Sequence, residues 1–410
     1  MSRFGTLGPG IRPKLRTWLG NLEADLGLPF ILGTWYFVDK TDGVSTNGGK
    51  SPTNAFADIT TAYSACTSGA GDGICLISRG TSASATTSRI TFPLVWSKHG
   101  ITVVGVSAGA RQFNRARISN TEHTTGAITT IAFGTSTTIT DSASGFVTAG
   151  FAVGDVLRID TTSNTNDGTA AIVTTVAAGT LTCSASSFTP EDAATAGSTT
   201  INSYCAQLID VTGDNNSFSN VSIVNHSSDA AAIGGVKVQG NRNAFNNVHF
   251  IGAGHATPRA VADANDLEIN SGQENTFRDC SFGTDSVLAA ATNSNVLFDT
   301  NCWRNHFDDC EFRTYSKTTT GGAINSKDAT SMEGWQFFRG CNFINWNENG
   351  LTANDSVFIG TKPTSGYVAL DNKCACFGYT AWDDSGANNT FYIASPTSAA
   401  SGAGGIATTI

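Results

Sequence analysis

One unit recurs through the second half of this 410-residue chain: Asn-x-Phe-x-(Asn/Asp)-(Val/Cys)-x-(Phe/Ile). It reads NSFSNVSI at 216–223, NAFNNVHF at 243–250, NTFRDCSF at 275–282 and NHFDDCEF at 305–312, with a degenerate copy, QFFRGCNF, at 336–343. The Phe-to-Phe steps from Phe218 through Phe245, Phe277 and Phe307 to Phe338 are 27, 32, 30 and 31 residues. A unit this short cannot bury its own Phe and Val. Stacked one strand spacing apart, about 4.8 Å, the units bury a continuous column and pair each strand with its equivalent in the next coil. The repeat therefore predicts a parallel solenoid.

Stacking turns each motif position into a ladder. Phe218, Phe245, Phe277, Phe307 and Phe338 form one expected interior column, and Val221, Val248, Cys280, Cys310 and Cys341 another, with the cysteines serving as small apolar thiols. Asn216, Asn243, Asn275 and Asn305 are expected on an outer turn, their amides bonding from coil to coil. Earlier apolar pairs, Ile209/Val211, Val236/Val238 and Leu267/Ile269, give each unit at least one further strand.

Composition removes the main alternatives. Charged residues make up 14% of the chain, against roughly 25% in an ordinary soluble domain. The abundance of Ser, Thr, Asn and Gly disfavours a coiled coil. The longest apolar runs, Leu28 to Leu32 and Ile101 to Val106, fall far short of the roughly 20 residues of a membrane span. A net charge of −9 disfavours nucleic-acid binding through the whole surface. The first residues do not read as a secretion signal, which predicts folding in a cytoplasm with the ten cysteines reduced. Cys374 and Cys376 form a CxC, too few ligands for a metal site, and no cofactor motif is present.

Five segments are expected. Residues 1–34 form an anchoring arm, in which Leu15, Trp18, Leu19, Leu22 and Leu26 predict an amphipathic helix and Arg12, Lys14, Arg16 and Trp18 are the candidates for docking into a virion. Residues 35–120 form the first coils, with strands at Trp35–Val38, Ile74–Ile77 and Ile101–Val104 and a short helix over Pro52–Ala65. Residues 121–204 insert a Thr/Ser/Ala-rich β-barrel or hairpin domain, with a tight turn at Asn166-Asp167-Gly168. Residues 205–350 carry the main repeats. Residues 351–410 lose the repeat and are expected to cap the open end or form a trimerisation or contact region.

The stretch YFVDKTDGVSTNGGKSPTNAFADITTAYSAC, followed by GDGICLISRGT and KHGITVVGVSAG, resembles the opening coils of pectin-lyase-like right-handed parallel β-helices. The inserted segment is similar, more loosely, to small β modules of phage structural proteins. The resemblance implies an all-β, right-handed parallel β-helix of tailspike or capsid-decoration type. Lyases, hydrolases and purely structural spikes share that fold, so it does not decide activity.

Any activity therefore depends on the placement of individual carboxylates. Asp279 and Asp309 occupy the same position in neighbouring coils, near the separation a retaining glycosidase uses, and Glu311 lies close by. Their counterparts Asn220, Asn247 and Gly340 are turn residues, so turn capping is the preferred reading. Arg278, Asp308 and Arg339 are expected to form a cross-coil ion-pair ladder. Asp263, Asp266 and Glu268 are the candidate cation loop. Trp303, Trp335 and Trp346 either stack on sugars or cap the solenoid end, the latter preferred.

The function expected is structural: a virion protein of a bacteriophage, exposed on capsid or tail, made in the host cytoplasm, assembled as a homotrimer with other virion proteins as partners and host surface glycan as a possible contact. The alternative is a tailspike depolymerase acting on host polysaccharide through Asp279, Asp309 and Glu311.

Overall fold

The computed structural model describes residues 31–78, 94–107, 115–120, 122–163, 165–184, 188–316, 321–328, 330–332, 334–347, 356–360, 367–379, 381–383, 391–394 and 406–407. Each coil of the main stack runs through three sheets. In one, Val236–Val238 lies in the second sheet, Ala244–Asn246 in the first and His249–Ile251 in the third. The first sheet holds 11 strands, the second 8 and the third 7. Register is in phase with the repeat: Phe218 pairs with Phe245, Phe245 with Phe277, Phe277 with Phe307 and Phe307 with Phe338. The chain is a right-handed parallel β-helix of about 8 turns, the fold class expected from the repeat.

Inside, the phenylalanines stack face to face. Ring centroids along the first file are 5.1, 4.9, 4.7 and 4.7 Å apart from Phe218 to Phe338, with interplanar angles of 5–9°. A second file, Phe250, Phe282, Phe312 and Phe343, stacks at 5.0, 4.9 and 4.7 Å. It meets the first edge-on, as between Phe245 and Phe250 at 63°. Each pair contributes about 0.5–1.5 kcal/mol beyond its area burial.

The asparagines lie inside rather than on an outer turn. Asn216, Asn243, Asn275 and Asn305 are at most 1% exposed. Each side-chain oxygen accepts the backbone N–H of the equivalent residue one coil earlier: Asn243 from Asn216 at 2.8 Å, Asn275 from Asn243 at 2.9 Å and Asn305 from Asn275 at 3.1 Å. The residue before each, such as Arg242 or Glu274, has left-handed φ near +55°, which turns the next side chain inward. Burial is tolerated because the ladder satisfies backbone donors that the bend removes from sheet pairing.

At the start of the stack the predicted helix is shorter than expected. Pro52–Asn54 is a 3-10 turn, Ala55 is extended, and the α-helix begins only at Ile59, where Asp58 accepts from the Thr61 N–H at 2.7 Å. It buries Ile59, Ala62 and Tyr63 against the interior cluster of the main stack, with Val38, Ile74 and Trp96. The amphipathic helix expected at 15–26, with Arg12, Lys14, Arg16 and Trp18, lies outside the described residues.

The inserted segment forms a 6-stranded antiparallel sheet, from Ile131–Thr135 to Thr199–Tyr204, around its own apolar cluster of Phe133, Phe146, Phe151, Leu157 and neighbours. Gly168 supplies the left-handed turn at φ +71°. Arg158 pairs with Asp229 at 3.2 Å, and the Ser228 N–H donates to Glu122 at 2.9 Å, tying the module to a loop of the main stack.

Past residue 350, where a cap or contact region is expected, described strands continue the stack. Ser356–Gly360, Tyr367–Asp371, Ala375–Phe377 and Phe391–Ala394 add further parallel rungs to the same sheets. Ile406–Ala407 then pairs antiparallel with Ile393 and Ala394, ending the open edge of the first sheet. The motif fades there while apolar alternation persists, and alternation is what a rung requires.

Candidate functional site

Asp279 and Asp309 each open the two-residue corner, completed by Cys280 and Cys310, between the first and third sheets. That column, Asn220, Asn247, Asp279, Asp309 and Gly340, has φ of +57, +53, +51, +54 and +62°. Asn, Asp and Gly are the residue types that adopt this conformation at least cost, which accounts for all five without a substrate. Both carboxylates are exposed. A Cβ placed on Gly340 would meet Asp309 Oδ1 at 2.3 Å, so the Asp309 carboxylate occupies the space over the glycine above it.

Glu311 faces outward from the third sheet and is engaged by Arg313 two residues on. Nε lies 2.6 Å from Oε1 and Nη2 3.1 Å from Oε2, a bidentate pair. On the neighbouring first sheet, Asp308 lies 4.0 Å from Arg278 and 3.3 Å from Arg339, the ladder expected from the register. A second one joins Arg242 and Arg304 to Glu274 at 2.7 and 2.6 Å. Being exposed, such pairs contribute roughly 0–1 kcal/mol each.

The acidic trio does not converge. Asp266 is fully buried and paired with buried Arg259 at 3.2 Å, accepting in addition from Gly252 N–H at 2.9 Å and Asn295 Nδ2 at 2.8 Å. Glu268 pairs with Lys237 at 3.0 Å on the outside of the second sheet, while Asp263 takes a left-handed turn. No group of three or more His, Cys, Asp or Glu suited to a metal occurs among the described residues. Cys374 and Cys376 extend interior columns of the third sheet, Cys376 pairing in register with Phe343. All ten cysteines are thiols, and burial pushes those of Cys66 and Cys75 up to about 12.

The tryptophans do not cap the solenoid end. Trp303 lies beneath the Arg304 guanidinium, 5.9 Å from its ring centroid. Trp335 is a rung of the first sheet beside Phe337, with further rungs beyond it. Trp346 stands out from the third sheet, 59% exposed.

The sequence matches no family model and no curated protein. Among solved structures, pectin methylesterase PemA from Erwinia chrysanthemi is 11% identical, with 83% of this chain and 80% of that chain covered and a TM-score of 0.40. Pectate lyase Pel9A is 12% identical over 90% and 82%, at 0.41. The tailspike of Pseudomonas phage phi297 is 15% identical over 83% and 66%, at 0.23. The likeness is one of fold. No helix among the described residues is long and apolar enough to cross a membrane.

One surface escaped the motif reading. Strand alternation that aims Ile118, Ile223, Phe250, Phe282 and Phe312 inward aims their neighbours Arg117, Ser222, His249, Ser281 and Glu311 outward as a column on the third sheet. The signal was present in the penultimate position of every repeat, where the residue type varies while the interior stays constant.

Proposed function

We propose that the chain is a bacteriophage virion protein whose β-helix is a rigid stem on the capsid or tail surface, acting through shape and attachment. The observation that carries the structural half is the unbroken interior, with two aromatic files and an amide ladder, set against outer acids taken up by corner geometry and ion pairs. The virion half comes from the resemblance of the opening coils and the inserted module. Assembly as a homotrimer and anchoring through Arg12, Lys14, Arg16 and Trp18 belong to this proposal. Reduced buried cysteines fit a protein made in a cytoplasm.

Mass spectrometry and density maps of purified particles test it. The reading expects this chain at fixed stoichiometry on the capsid or tail, and its absence from intact particles contradicts it. The competing reading, a glycan depolymerase using Asp279, Asp309 and Glu311, is favoured by their adjacent rungs. It expects new reducing ends from capsular or lipopolysaccharide preparations, lost in Asp309→Asn.

A further inference from the structure

The interior column that begins with Val221 and Val248 continues as four thiols on consecutive coils: Cys280, Cys310, Cys341 and Cys374. As apolar filling they do only what valine does on the two coils before them. Backbone pairing fixes their register. Glu311 N–H donates to Cys280 O, Asn342 N–H to Cys310 O and Ala375 N–H to Cys341 O, each at 2.9 Å. Neighbouring Cα atoms in the column are therefore one strand spacing apart, about 4.8 Å, inside the range of about 4.4–6.8 Å that a disulfide spans.

Side-chain direction agrees with that spacing. Each thiol leans toward the preceding coil and donates to the carbonyl of its Phe: Cys280 to Phe245 at 3.2 Å, Cys310 to Phe277 at 3.4 Å, Cys341 to Phe307 at 3.3 Å and Cys374 to Phe338 at 3.4 Å. The thiols also bond along the file, Cys310 with Cys280 and Cys341, and Cys341 with Cys374. Side chains that already touch need little backbone movement to be bridged.

Exposure singles out one pair. Cys280, Cys310 and Cys341 are at most 1% exposed, whereas Cys374 is half-buried. An oxidant arriving from solvent therefore meets Cys374 first, and the thiol in contact with Cys374 is that of Cys341. Asp371 Oδ1 holds the Cys374 thiol at 3.3 Å and accepts the Gly340 N–H at 2.9 Å, which ties the two rungs together beside the sulfurs. Cys376, the other half-buried thiol, faces Phe343 across the rung.

We propose that Cys341 and Cys374 are an oxidation site, thiols in a reducing cytoplasm that close to a cross-rung disulfide when the folded chain meets a peroxide. The Cys374 sulfur takes one oxygen of hydrogen peroxide: the O–O bond breaks, the other oxygen leaves as water with the thiol proton, and a sulfenic acid remains. The Cys341 sulfur then attacks the Cys374 sulfur. The S–S bond forms, the S–O bond breaks, and hydroxide leaves as water with the Cys341 proton. Two thiols and one peroxide give one disulfide and two waters, the sulfurs losing two electrons. The bridge joins residues 33 apart in the chain and staples the Ala375–Phe377 rung to the Asn342–Asn347 rung. Closing that loop restricts the unfolded chain and so favours the folded one. The inference does not rest on the virion reading, since it concerns the interior of the fold alone.

Peptide mapping by mass spectrometry tests it. The full chain is purified under reductant, exposed to hydrogen peroxide, alkylated and digested with trypsin, whose cuts after Arg339 and Lys373 put Cys341 and Cys374 on separate peptides. The expected result is a linked pair of those peptides, two hydrogens lighter than their sum, at least about tenfold more abundant than any other cysteine link and lost on adding dithiothreitol. The oxidised chain is expected to melt at least about 2 °C above the reduced one. Cys376→Ser keeps both the bridge and the shift, and Cys374→Ser has neither; the map of the parent chain decides the pairing even where a variant folds poorly. Thiols that stay free, a Cys374–Cys376 link, a link between two copies, or sulfinic acid at Cys374 without a bridge overturns the proposal. So does a bridge that leaves the melting temperature unchanged.

Discussion

At the level of single residues, the motif separates into positions that hold the interior and positions that hold the bend. Asn275 belongs to the first kind. It accepts from Asn243 N–H and donates from Nδ2 to Gly240 O at 3.1 Å and to Asn305 Oδ1 at 3.1 Å. Asn275→Leu leaves a buried N–H and a buried carbonyl unmatched, at about 1–3 kcal/mol each. Urea denaturation is expected to show a loss of several kcal/mol, and a loss below about 1 kcal/mol would mean that the ladder contributes little. Asp309 belongs to the second kind. Asp309→Gly is expected to stay within about 1 kcal/mol of the parent, whereas Asp309→Val, β-branched at φ +54°, loses about 1–3 kcal/mol. Equal melting temperatures for the two would show that left-handed geometry does not govern this column.

At the level of elements, what could be read from the sequence depended on whether a position repeats. The Phe and Val/Cys columns were legible because packing demands the same residue type at every rung. The spacing of the asparagines reveals a ladder but not its side, because the left-handed residue that turns them inward varies among Asn215, Arg242, Glu274 and Arg304. The helix expected over 52–65 is shorter in the structure because apolar spacing does not register the extended Ala55 or the cap at Asp58. The outward face of the third sheet was missed because its residues come from every coil and only the register brings them together.

The inserted module carries its own pH dependence. Asp141 is 3% exposed. Burial alone would raise its carboxyl, but Thr130 Oγ1 donates at 2.6 Å, Gly145 N–H at 2.7 Å and Ala143 N–H at 2.9 Å, and together they hold it below the ordinary carboxylate value. A depressed folded-state value contributes stability that is present above the unfolded value, near 3.9, and is lost as pH falls through the folded one. Asp141→Asn is therefore expected to lower the melting temperature at pH 7, with the gap to the parent narrowing as pH drops below about 4. A gap that stays constant down to pH 2 would assign the effect to shape rather than charge.

At the level of the whole molecule, the account depends on one long parallel stack in which chain distance of about thirty residues becomes a single strand spacing. That relation gives the chain its rigidity and lines up the outward columns. Pulsed electron–electron spin measurements read it directly, with genetically encoded spin labels on the outward column of the first sheet at Ser219, Asp308, Arg339 and Asp371. The account predicts backbone separations from Ser219 of about 14, 19 and 24 Å for three, four and five rungs, rising by one strand spacing per coil. Distances that fail to increase in equal steps with coil number would contradict it.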